Sequence, residues 1–293
     1  MRLILLTSLV MVAFAANSVL NRAALTDAAM PALSFALIRT ASGALALAAM
    51  VMLRDHKLEL RGPHRWAGVA SLSLYMVAFS MAYISLDAGV GALILFGGVQ
   101  VTMFLGALFA REPVPFVRWI GAGLAFAGLV WLLWPAGAFS ISPLHGLVMC
   151  GAAFGWGIYS LAGRVSGEPL KATAANFILA TPICLIAVLV IPLSAGEDTT
   201  LSGQGIILAV ISGVVTSAMG YALWYTVLPR LSASVAAVAQ LTVPVIALAG
   251  GILFLSETVT TRFAFASILV LGGVAVSILG PAWRQRTNGS KAS

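Results

Sequence analysis

The chain has 293 residues, 61% of them hydrophobic and 9% charged, with a mean hydropathy of +1.05. Soluble domains carry about 45–50% apolar and about 25% charged residues, so a soluble enzyme, a secreted module and a disordered chain are excluded and a polytopic membrane protein remains. The net charge of +7, from 16 Lys+Arg against 9 Asp+Glu, lies mainly in short loops, where it sets orientation and does not signal nucleic-acid binding.

A spanning helix needs about 20 mainly apolar residues. Ten such spans are predicted in chain order: 2–25, 32–53, 66–86, 88–110, 115–134, 144–163, 171–192, 203–228, 232–254 and 260–281. The first, with Arg2 and the small residues Ala13–Ala16, has the look of a cleaved signal peptide. Its apolar run continues to Leu25, so it reads as a true span. The breaks carry charge or turn residues: Arg54–Arg65, Arg111-Glu112-Pro113, Pro135–Pro143, Arg164–Lys171 and Ser194–Gly203. With the N-terminus in the cytoplasm, 13 of the 16 basic residues fall inside, Arg22 and Arg262 fall outside, and Arg39 lies within a span. The bias predicts both termini inside a bacterial inner membrane. Trp66, Trp134 and Trp283 sit at span ends, as interfacial anchors do.

The sequence repeats itself. A shift of 145 residues lays Leu86-Asp-Ala88-Gly-Val90 on Leu231-Ser-Ala233-Ser-Val235, Gly106 on Gly251, Leu108-Phe109 on Leu253-Phe254, Glu112 on Glu257 and Gly128 on Gly273, without a gap. Phe14–Arg22 resembles Trp156–Arg164 at a slightly different offset. The expected organisation is a first five-helix repeat over 1–138, a second over 139–283 and a cytoplasmic tail over 284–293. Five is odd, so the second copy is inverted in the membrane. Inverted copies place a substrate site near midplane at their interface and suit alternating access.

These residues resemble the drug/metabolite transporter superfamily, EamA family. The resemblance rests on Phe14-Ala-Ala-Asn17, Pro31…Arg39, Ala82-Tyr83, Gly106…Glu112, Gly121…Gly128 and Tyr221-Ala-Leu-Trp-Tyr…Pro244…Gly250…Glu257…Gly273, and covers about residues 3–281. It is nearest to bacterial amino-acid and metabolite exporters, including the aromatic amino-acid exporters of the YddG type. It implies an all-α fold of ten transmembrane helices, in two inverted five-helix repeats around a central cavity. Two departures stand out: Phe14 where the family usually has Trp, and Gly97-Gly98-Val-Gln100 in place of a span-four proline.

Several residues are candidates for the cavity. Pro244 in span nine aligns with Val99 beside Gly97 and Gly98 in span four, so interrupted helices and a hinge are expected there. Gln100 and Gln240 at mid-span, and Asn17 opposite Tyr159 in the repeat, can both donate to and accept from a substrate head group, or bond helix to helix. Tyr75, Phe79 and Tyr83 share one face of span three; Tyr221, Trp224 and Tyr225, extended by Ser217, share a face of span eight; Trp156 and Tyr159 add a face on span six. Arg39, the sole charged side chain inside a span, either attracts a substrate carboxylate or pins helices. Glu112 and Glu257 lie at helix ends, where capping or pairing with a neighbouring Arg is the expected role. Cys150 and Cys184 read as small core hydrophobes, and His56, His64 and His145 as loop or span-end histidines without metal-ligand spacing.

No Asp or Glu falls at mid-span and no P-loop is present. The expectation is a facilitator, without cofactor or metal, that exports small neutral metabolites, foremost amino acids including aromatic ones. Its partners are the small-molecule substrate and the lipid bilayer, not nucleic acid. One chain holding both copies points to a monomer. A multidrug or other metabolite exporter, proton-coupled or not, is the alternative. A channel or intramembrane enzyme is the remote one, since no mid-span acid or histidine reaches a buried serine.

Overall fold

A computed structural model describes residues 2–26, 30–62, 64–109, 115–134, 142–164, 167–192, 200–231, 239–240 and 242–289. Among these, ten helical segments stand in for the ten predicted spans: α1 (Arg2–Thr26), α2 (Ala32–Asp55), α3 (Arg65–Ala82), α4 (Ala88–Phe109), α5 (Phe116–Leu133), α6 (Pro143–Arg164), α7 (Pro169–Val190), α8 (Gly203–Val227), α9 (Thr242–Leu255) and α10 (Thr261–Gly289). By length and composition, α1, α2, α6, α7 and α8 suffice to cross a membrane; Ala88–Thr102, Trp119–Leu132, Thr242–Leu255 and Thr261–Gly273 are shorter apolar stretches.

The ends of these helices follow local chemistry. Pro169 opens α7, where its missing N–H is one that no helix would use. Ser202 caps α8 by accepting from Gly205 N at 3.0 Å. His56 closes α2 in the left-handed conformation, its N–H returning to Met52 O. Two boundaries differ from expectation. Helix α3 stops at Ala82, four residues early, and a turn over Tyr83–Ser85 leads to α4. Helix α10 runs on to Gly289, through Gly280-Pro281 and the segment expected as a tail. Trp66 and Trp134 are both exposed at helix ends. The loop residues 110–114 with Glu112, and residues 232–238, lie outside the described residues.

The packing has the symmetry of the repeat. Helix α3 packs on α6 as α1 packs on α8; α4 on α6 as α9 on α1; and α3 on α7 as α8 on α2. Helices α2 and α7, α4 and α9, and α5 and α10 pair with their own repeat partners. Exchanging the two halves therefore returns these principal contacts, while α4 makes contacts with α1, α5 and α10 that α9 does not match among the described residues. The α5–α10 crossing shows why small residues recur at the repeat period. A Cβ on Gly128 would lie 3.0 Å from Val270 N, and one on Gly273 would lie 2.5 Å from Ala125 N. Only glycine lets these backbones approach so closely, as is usual where membrane helices cross.

One helix is irregular. Helix α8 runs as Gly203–Ile211, then a π-helical stretch Ser212–Met219, then Gly220–Val227, followed by a short 3₁₀ turn. The π stretch holds Ser212, Thr216 and Ser217, whose hydroxyls face α1 and α2. π segments of this kind are rare and often mark functional positions.

Candidate functional site

The centre of the bundle is built around Arg39. Its guanidinium is fully buried. Nε donates to Ser217 Oγ at 2.7 Å, and Nη2 donates to Tyr221 OH at 2.7 Å and Tyr75 OH at 3.2 Å. The Tyr221 hydroxyl in turn lies 3.1 Å from that of Tyr75. The cation rests over Phe79, 4.9 Å from its ring centre, and beside Tyr75 at 5.5 Å. Ring faces carry negative potential, so they offset part of the cost of burying this charge. Arg39 Nη1 is buried without an acceptor among the described residues.

Aromatic rings fill the space beside it, in pairs related by the repeat. Tyr75 on α3 and Tyr221 on α8 are one pair; Phe14 on α1 and Trp156 on α6 are the other. Trp156 lies 4.6 Å from Tyr221, 5.0 Å from Tyr75 and 5.2 Å from Phe14, centre to centre. Trp224 meets Phe14 at 5.7 Å, and Tyr159 stacks on Tyr225 at 5.1 Å. All of these side chains are buried. The indole N–H groups of Trp156 and Trp224 have no acceptor among the described residues. In this conformation the halves meet through packed rings.

Asn17 joins α1 to the π stretch. Its Oδ1 accepts from Ser212 Oγ at 2.9 Å, from Ser217 Oγ at 3.1 Å and from Thr216 Oγ1, and its Nδ2 donates to Thr216 O. A chain of hydrogen bonds thus runs from Arg39 through Ser217 to Asn17.

Other candidates lie farther out. Tyr83 ends α3, its hydroxyl 3.4 Å from Ala88 O. Tyr225 donates to Tyr159 O at 2.9 Å. Gln100 is half-buried, with Nε2 lacking an acceptor among the described residues, and Gln240 is buried. Of the two helices expected to be interrupted, α4 is continuous in this conformation. Helix α4 continues unbroken through Gly97 and Gly98, where a Cβ would press on Val270 and Ala153 at 2.8 Å. Pro244 is the third residue of the described segment Thr242–Leu255; residues 239–240 before it are also helical, and residue 241 lies outside the described residues. Sequence reasoning passed over Ser212 and Thr216, whose only signal is a run of hydroxyls inside an apolar span, and over Phe14, seen only as a departure.

A second polar region lies at the end of the bundle where α1 finishes and α4 begins. Arg22 donates to Tyr83 O at 2.9 Å and Ile84 O at 3.1 Å, and pairs with Asp87 at 3.6 Å. Glu257, in the turn between α9 and α10, accepts from Ala88 N at 2.6 Å and Gly89 N at 3.4 Å. It is a cap, as its position suggested, but on a helix of the other half. Arg262 donates to the carbonyls of Trp131 and Trp134. Two clefts open here, sharing Asp87, Glu257 and Thr258. Burial raises the Glu257 pKa above the ordinary carboxylate value; the backbone N–H of Ala88 opposes it, nearby Asp87 adds to it, and the Gly89 N–H and Arg22 oppose it.

Comparison with known proteins agrees with this architecture. The chain is 44% identical over 282 residues to an uncharacterised Pseudomonas aeruginosa protein, covering 96% of this chain and 95% of that one. It is 27% identical to an uncharacterised transporter of Archaeoglobus fulgidus, covering 87% and 89%. It is 24% identical to a probable amino-acid metabolite efflux pump of Escherichia coli K12, covering 73% and 75%. A solved crystal structure with 19% identity superposes with a TM-score of 0.63, over 93% of this chain and 98% of that one, and so shares the fold. The profile of the EamA-like transporter family matches twice, at residues 1–134 and 145–279, once for each set of five helices. The chain is a transmembrane transporter, not an enzyme, and belongs to the EamA-like transporter family of the drug/metabolite transporter superfamily.

Proposed function

We propose that this transporter is a monomeric inner-membrane exporter of small amino-acid metabolites, with both termini in the cytoplasm and its substrate site at midplane between the two halves. The observation that carries this reading is the chemistry of the buried centre. Arg39 Nη1, Trp156 Nε1 and Trp224 Nε1 are all buried donors without acceptors among the described residues. A substrate carboxylate supplies the acceptors they lack, and charge-assisted bonds to a guanidinium are the strong ones. The rings of Tyr75, Phe79, Tyr83, Tyr159, Tyr221 and Tyr225 suit an apolar or aromatic side chain. Asn17, Gln100 and Gln240 supply mixed donors and acceptors for an amino group.

Alternating access follows from two equivalent halves that exchange roles, with Gly97, Gly98 and Pro244 as places where α4 and α9 bend. Among the described residues no acidic residue lies mid-helix, which supports downhill facilitated flux without a proton relay. The relatives described as amino-acid metabolite efflux pumps support the direction and substrate class. A cationic drug would find ring faces here but no carboxylate partner, so the donor set favours the amino-acid reading over a multidrug one.

The test is uptake of radiolabelled Phe, Trp, Thr and Met into proteoliposomes, with and without a pH gradient. Trp224→Ala, Gln240→Ala and Arg39→Lys are compared with wild type. Saturable flux without a gradient, lost in the variants, is the expected result. Flux that appears only with the gradient removes the facilitator reading. Folded protein that moves none of the four overturns the substrate class.

A further inference from the structure

We propose that Glu257 is the latch of one gate of this transporter: its carboxylate, reaching from the second half onto the start of α4 in the first, holds that end of the bundle closed and must let go whenever the end opens. The inference rests on the family's transport activity and not on any particular substrate.

Four observations converge. The carboxylate takes both of its backbone partners, Ala88 N and Gly89 N, from a helix of the opposite half. The first N–H groups of a helix have no partner within it and carry partial positive charge, so a carboxylate there is a strong and directional tie. Its own turn is made for it: the Glu257 N–H returns to Gly251 O at 3.1 Å, and a Cβ on Gly251 would lie 2.0 Å from Glu257 Oε2. A side chain at position 251 would displace the carboxylate from this place. The approach is also close on the other side, where a Cβ on Gly89 would lie 3.1 Å from the Cα of Leu248 in α9.

The neighbouring contacts do not serve the same purpose. Arg22, Asp87 and the carbonyls of Tyr83 and Ile84 all belong to the first half, so their contacts do not bridge the halves. Arg262 ties α10 to α5 at the crossing whose glycines already lock the backbones. The latch is the polar contact here that joins α4 to the α9–α10 turn, the helices that line the interface between the halves. Both clefts have Glu257 in their walls, so its withdrawal changes both.

Spin labels test this directly, in full-length protein in liposomes with Cys150→Ala and Cys184→Ala as background. Ser85→Cys, exposed in the turn before α4, and Val259→Cys, 52% exposed in the α9–α10 turn, report the separation of the two sides. Glu257→Ala is expected to shift the spin–spin distances to longer values. Glu257→Gln keeps a carbonyl acceptor and is expected to retain the closed distribution. Ala88→Pro removes the N–H donor at a position where proline starts helices well; it is expected to reproduce the Glu257→Ala shift and to add nothing on top of it. If Glu257→Ala or Ala88→Pro lowers the melting temperature but leaves the distances as in wild type, Glu257 is a helix cap only and the latch is overturned. Should Glu257→Ala fail to fold, the contrast between Ala88→Pro and Glu257→Gln decides alone. The readout needs no substrate, so a chain that moves no amino acid overturns the proposed substrate while leaving this test intact.

Discussion

Two of the places that join the halves do so by opposite means. At the centre, the tie is a cation without a carboxylate: Arg39 is held by three hydroxyls and two ring faces, fully inside the bundle. At the far end, the tie is a carboxylate without a cation: Glu257 is held by two backbone N–H groups and is only partly buried. An ion pair would be cheap to keep at the wet end and costly to break at the dry one. In each place the charge is met by dipoles, which can be exchanged for a substrate or for water as the halves part. Such a contact is firm enough to define a state and weak enough to be left.

The comparison can be broken at its strongest point first. Trp156 touches Tyr75, Tyr221, Phe14 and Tyr159, so Trp156→Ala empties the centre and is expected to cost about 3–5 kcal/mol. Thermal unfolding in detergent measures this, and a small change would mean that the rings repack freely. Next is the joint between α2 and the π stretch. A Cβ on Gly213 would lie 2.3 Å from Arg39 O. Gly213→Ala is therefore expected to destabilise by about 1–3 kcal/mol through overpacking. Gly123→Ala, where a Cβ meets nothing within 4 Å, is the control and is expected to be neutral or slightly stabilising.

At the far end the expected effects are smaller. Glu257→Ala removes a helix cap and is expected to cost about 1 kcal/mol of stability, the gate effect being read separately by distance. The pH effect is the finest. Burial raises the Glu257 pKa in the latched form, whereas the released carboxylate is solvated and titrates near the ordinary value. Protons therefore bind the latched form more tightly. Acidification is expected to favour closure, and the bias is lost as pH rises through the latched pKa. Asp87, facing the same carboxylate, reinforces this shift, and Arg22 opposes it; Arg262 lines the same cleft. Glu257→Gln is expected to flatten the pH dependence of the spin–spin distances.

The helices were legible because membrane helices write themselves in apolar length. The two-half plan was legible because glycines and glutamates recur at a fixed shift, and Gly128 and Gly273 each lie against the other's helix at one crossing. The aromatic faces were legible from helical spacing. The partners of Arg39 were not, since they come from residues 36, 178 and 182 positions away, and no local pattern encodes that. The π stretch was hidden for a related reason: Ser212, Thr216 and Ser217 read as tolerated polar residues until Asn17 is seen across from them. The reach of Glu257 onto α4 was half visible, because its place at a helix end announced a cap but not which helix it would cap.

The charge on Arg39 has an electrical consequence. A full positive charge sits inside the bundle with no acidic side chain bonded to it among the described residues. Moving one elementary charge across the whole membrane does about 2.3 kcal/mol of work per 100 mV. A rocking of α2 that carries Arg39 through a tenth of the voltage drop therefore does about 0.2 kcal/mol of work per 100 mV. The resting potential of the cell thereby acts as a standing bias on which way the transporter faces, even when the cargo it carries has no net charge.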